Sequence, residues 1–124
     1  MTAPAAFDLN EGYASFRPVG PTTMEGFLLL LDQARRACQE QGLTKLLVNA
    51  TRLSHRPLMT ADWFQWGSGL AVLWDRNIRL AMVARTDQID PDRFGALVAQ
   101  NRGLHYGLFT NEEEALGWLL EVCG

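Results

Sequence analysis

Met24, Phe27, Leu28, Leu31, Ala34 and Cys38 recur at steps of three and four residues, with Glu25, Asp32, Arg36 and Gln39 on the other side. This spacing predicts a helix with one face laid on a sheet. Thr22 is the expected N-cap, with Glu25 three places on as its capping-box partner and Gly42 as the stop. Upstream, "AFDL" and "YASFRPV" flank the turn-forming "NEG", so residues 5 to 18 read as a hairpin, broken by Pro18 and Pro21. Downstream, "TKLLVNA" and "IRLAMVA" (78–84) are short, nearly unbroken apolar runs, the signature of strands covered on both faces.

Between those runs lies a tryptophan-rich segment, residues 60 to 75, which reads as a second helix with Thr60 as its cap and Asp62 near its positive end. A third helix is expected from Asp90, with Pro91 in its first turn and Gly103 at its end. "HYGLF" follows as the last strand. Thr110 or Asn111 then caps a final helix that opens on three glutamates and buries Ala115, Leu116, Trp118, Leu119 and Val122. The order is a hairpin followed by alternating helices and strands. It predicts a single α/β domain over residues 1–124: a mixed, mostly parallel sheet of about five strands with right-handed crossovers, covered by about four helices.

The second helix carries three of the four tryptophans. Trp63, Trp66, Leu70, Leu73 and Trp74 fall on one stripe, while Phe64 and Val72 extend well outside it. A buried indole also needs an acceptor for its N–H, which is easier to supply where part of the ring meets polar atoms. The expectation is therefore that Trp63, Phe64, Trp66, Leu70 and Trp74 form an interface with a second copy or another protein. The alternative is that all the rings pack within one protomer, because aromatic stripes are ordinarily core.

Composition narrows the classes. The chain is 48% apolar and 20% charged, ordinary for a globular protein, and its net charge of -3 argues against a nucleic-acid surface. Cys38 and Cys123 are far apart, with neither a zinc-ligand spacing nor a disulfide pattern, and no apolar run is long enough to span a bilayer. A cytoplasmic setting is expected. No cofactor is called for: Ser68 in "WGSGL" does not match a nucleophile elbow, His55 and His105 lack metal-ligand spacing, and no glycine-rich phosphate loop follows a strand. Asp87, Asp90 and Asp92 are explained by helix capping. The chain is not expected to be an enzyme.

"KLLVNATRL", "RLAMVART" and above all "NRGLHYGLFTNEEEALGWL" resemble the SpoIIAA-like family of STAS-type domains over most of the chain from about residue 5. The resemblance implies a small mixed sheet covered by helices and a regulatory binding module. It also exposes a departure. Anti-sigma-factor antagonists of this type carry a phosphorylated serine in an Asp-Ser pair near the start of the second helix; here "NATRLSHRPLMTADW" has no such pair, and Asn49 stands where relatives often have aspartate. Only Ser54 or Thr60 is left as a stand-in for the switch.

In parallel sheets ligands bind beyond the carboxyl ends of the strands, which here brings together loops 49–60, 85–91 and 110–111. The first has no acid between Glu40 and Asp62 but contains Arg52, His55 and Arg56, with Lys45 just before it. Arg52, Ser54, His55, Arg56 and Thr60 are thus the candidate contacts for an anion or for a partner's acidic side chain, against the plainer reading of a solvated loop. Two functions compete. One is a regulatory module that binds itself or a protein partner through the second helix and the basic loop. The other is a carrier or sensor of a small anionic or lipid-like ligand, marked by a pocket at Trp63 and Trp66 rimmed by Arg52 or Arg56.

Overall fold

A computed structural model describes residues 6–89, 100 and 103–121. Strands β1 (Phe7–Asn10) and β2 (Tyr13–Phe16) form the hairpin, turning at Gly12, whose φ of +83° favours a residue without a Cβ. After β3 (Gly20–Pro21) come α1 (Met24–Glu40), β4 (Lys45–Asn49), β5 (Leu53–Ser54), α2 (Thr60–Leu73) and β6 (Arg79–Val83). A single 3-10 turn at Thr86–Gln88 follows, and then β7 (Tyr106–Phe109) and α3 (Glu112–Leu119). The helix expected from Asp90 to Gly103 lies outside the described residues except for Gln100 and Gly103, as does Val122 of the last helix.

The main sheet has the order β1-β2-β4-β6-β7; only β1 and β2 are antiparallel. Register explains how its faces are used. Ala14, Leu46, Leu80 and Tyr106 stand side by side, as do Phe16, Val48, Met82 and Leu108, and both rows face α1 and α2. The alternate row, with Leu47 and Ala81 beside Gly107, packs instead with Ala115 and Leu119 of α3. Covering on both faces is why β4 and β6 read as unbroken apolar runs.

Two local expectations are corrected and a third is narrowed. Thr23, not Thr22, caps α1: its hydroxyl accepts from the Gly26 amide at 3.0 Å, because the helix begins one residue later than expected. Met59, not Thr60, is the N-cap of α2, and Asp62 supplies the capping oxygen from the third helical position by accepting from the Met59 amide at 2.8 Å. Of the two candidates at the final helix, Asn111 is the cap, accepting from the Glu114 amide at 2.8 Å. The sequence reading also lacked the small parallel pair β3-β5, which ties the basic loop to the start of α1.

The polar side of α3 is anchored to the hairpin. Arg17 makes a two-pronged pair with Glu112, at 2.9 and 2.8 Å, and Asn49 donates to the same carboxylate at 2.7 Å. The Arg17 guanidinium, and then the Asn49 amide, hold the Glu112 carboxyl down at about 2 against the opposing effect of burial. Asn49 therefore serves as a structural bridge, and its side-chain oxygen also accepts from the amide and hydroxyl of Thr51.

Candidate functional site

A cavity opens where the carboxyl ends of β4, β6 and β7 meet the first turns of α1 and α2. Phe27, Trp63, Trp66, Met82, Tyr106 and Leu108 supply much of its wall, and Ala50 and Ala84 leave room at the strand ends. The volume open to the centre of a water molecule is about 90 Å³. One water needs roughly 10–15 Å³ on that measure, so the space has the scale of a small ring compound. Phe27 and Trp66 stack nearly parallel, 8° apart with centroids 5.2 Å apart, joining α1 to α2 beside this space.

The polar rim is organised by Gln88. Its side-chain nitrogen donates to the Ala50 carbonyl at 3.0 Å and meets His55 Nε2 at 3.1 Å, while its side-chain oxygen accepts from the Arg85 amide at 2.8 Å. Its main-chain carbonyl accepts the Trp63 indole N–H at 3.2 Å. One residue thus joins the ends of β4 and β6, the loop after β5, and α2. His55 Nδ1 lies 2.8 Å from the Arg56 carbonyl, which can only accept. Both ring nitrogens thus have a polar partner, Nδ1 the Arg56 carbonyl and Nε2 the Gln88 side-chain amide.

The proposed anion contacts do not converge. Arg56 is committed to Asp62 through two bonds, 3.0 and 2.6 Å. That carboxylate is held below the ordinary range first by the Met59 amide and then by Arg56. The side chains of Arg52 and Ser54 are exposed, and their carbonyls accept from the Gly20 and Thr22 amides within the β3-β5 pair. Of this group His55 alone lines the cavity; neither arginine does, and the side chain of Thr60 lies outside what the structure describes. Arg85 bonds the carbonyls of Thr51 and Leu53 and pairs with Asp87 at 3.0 Å.

The tryptophan stripe divides. Leu70, Trp74 and Trp66 are 0%, 5% and 7% exposed within the protomer, and Trp74 gives its N–H to the Ile78 carbonyl at 3.0 Å. Trp63 is half-buried at the cavity, and Phe64 is half exposed away from it. Gly69 lets α1 come close inside the chain: a Cβ there would sit 2.9 Å from the Leu28 side chain. Sequence reasoning missed Gln88, whose only signal was that loop 85–91 was expected to reach the same end of the sheet, and it placed Phe27 on the apolar stripe of α1 without a role at the cavity.

Among the described residues no cluster of three histidine, cysteine or acidic side chains is placed to hold a metal ion, and no helix is long and apolar enough to cross a membrane. No protein-family model matches the sequence, and no curated protein matches it significantly. Solved structures do. One is an anti-sigma factor antagonist from Mycobacterium paratuberculosis, 14% identical, aligned over 97% of this chain and 100% of that one at a TM-score of 0.58. Another is an uncharacterized protein with a SpoIIAA-like fold from Shewanella loihica, 20% identical over 91% of this chain and 90% of that one, at a TM-score of 0.48. With its antiparallel hairpin leading into a parallel sheet and helices on both faces, the chain has the SpoIIAA-like, STAS-type fold.

Proposed function

We propose that this chain is a small non-enzymatic binding module that carries or senses a small molecule held in the cavity between α1, α2 and the sheet. The observation that carries this reading is the cavity itself: it lies at the carboxyl ends of three parallel strands, it is walled mainly by apolar and aromatic side chains, and Gln88 and His55 bring polar groups to it. The anti-sigma factor antagonist of the same fold adds support for a regulatory role. Occupancy of the cavity would bias how Gln88 and Trp63 hold α2 to the strand ends. A native mass spectrum of the purified protein tests the reading. A retained or titrated small molecule at one per chain supports it; a chain that stays unliganded with every apolar probe offered overturns it.

A second reading, association through α2, is favoured by a different observation. Met59, Phe64 and Val72 are 64%, 50% and 82% exposed, which leaves sizeable apolar surface at the start and outer side of that helix. A second copy or a protein partner covering these residues would explain them without involving the buried Trp66 and Trp74. Sedimentation across a wide concentration range tests this: a monomer at the highest concentration rules out self-association.

A further inference from the structure

We propose that the cavity selects a compact, uncharged aromatic molecule and rejects anions. The inference rests on the small-molecule reading above and gives that molecule a chemistry. Four rings, those of Phe27, Trp63, Trp66 and Tyr106, border one small space, and flat rings are the shape such walls accommodate with the fewest voids. A long acyl chain would exceed it.

Charge points the same way. No arginine, lysine, aspartate or glutamate is among the described residues of the lining. Arg56 is committed to Asp62 and Arg85 to Asp87 and two carbonyls, while Arg52 is exposed outside the lining and acts on Glu112. Both ring nitrogens of His55 are engaged, one by the Arg56 carbonyl and the other by the Gln88 amide. Both protons of the Gln88 amide are likewise used, on Ala50 and His55. A carboxylate entering here would lose its hydration and gain no cation, so its desolvation would go uncompensated. A neutral ring has no such requirement.

Calorimetric titration with indole, indole-3-carboxylate and 1-octanol tests the inference, on the full chain and on Ala84→Leu, which fills the cavity from the end of β6. Indole is expected to bind once per chain, at least tenfold more tightly than either other probe, and to lose at least tenfold in Ala84→Leu with an unchanged circular dichroism spectrum. Amide and indole NMR shifts of the unsubstituted protein provide a check that does not depend on the variant folding: indole should move Trp63 and Gln88 and leave Trp118 in place. Equal or tighter binding of the carboxylate or of octanol at the same residues overturns the aromatic, uncharged specificity and leaves the cavity reading intact. Failure of all three probes to bind, or shifts confined to other residues, overturns both.

Discussion

Trp63 on α2 donates its indole N–H to the main-chain carbonyl of Gln88, 3.2 Å away in the turn after β6. Through the other bonds of Gln88, this contact fixes the mouth of the cavity to two strand ends. Replacing Gln88 by alanine leaves the Arg85 amide without its partner and takes from the Ala50 carbonyl one of its two donors, the other being the Leu53 amide. Unpaired buried polar groups cost about 1–3 kcal/mol, so Gln88→Ala is expected to lower the urea midpoint by that order and to broaden the Trp63 indole resonance. Trp63→Phe, which deletes only the donor and part of a ring, is expected to cost about 1 kcal/mol.

Trp66 and Val72 sit on the same helix with opposite consequences. Trp66→Ala removes a ring stacked on Phe27 in the core and is expected to destabilise by about 3–5 kcal/mol. Val72 is exposed, and Val72→Ser is expected to change monomer stability by no more than about 0.5 kcal/mol. Chemical denaturation checks both. A much larger effect of Val72→Ser that grows with protein concentration would instead place Val72 in a self-association interface.

Gly117 lies within α3, and a Cβ there meets no atom within 4 Å. Gly117→Ala should therefore gain the helix-propensity difference, about 1 kcal/mol, less some fraying at the end of a short helix. Gly69→Ala should gain less, because its Cβ comes within 2.9 Å of Leu28 Cδ1 and the leucine must move. Thermal melts of the two variants should rank in that order.

Glu112 sets the acid limit of the hairpin–helix anchor. Its folded carboxyl, at about 2, lies below its ordinary 4.5. Its contribution to stability is thus present in full above the ordinary value and is lost as pH falls from about 4.5 towards 2. Glu112→Gln should remove that part of the acid dependence. At neutral pH it should cost about 1 kcal/mol or less, because the pair is partly open to water and screened. Urea titrations at pH 7 and pH 3 measure the difference.

Helices α1 and α2 were legible from apolar positions three and four residues apart, and β4 and β6 from short apolar runs that covering on both faces demands. β3 and β5 were not: two residues carry no period, and Gly20–Pro21 looks like a break. The basic loop misled for a specific reason. Arg56 faces six residues forward to Asp62, across the junction into α2, and local charge counting does not see a partner on the far side of a cap. The tryptophans followed the same logic in reverse. Trp66 is absorbed by Phe27, which stands 39 positions earlier by number and is brought alongside only by the packing of α1 on α2. A pocket at Trp63 and Trp66 was the mark of one of the two competing readings, with Arg52 or Arg56 at its rim; the rim found here belongs to Gln88, on which four elements meet.

The bond between Arg17 and Glu112 spans a sequence separation of 95 residues. All of the chain between those two residues must therefore be synthesised before that arginine meets its carboxylate. The hairpin gains its sheet neighbour β4 once α1 has been made, but its tie to α3 comes only after β6 and β7 have followed.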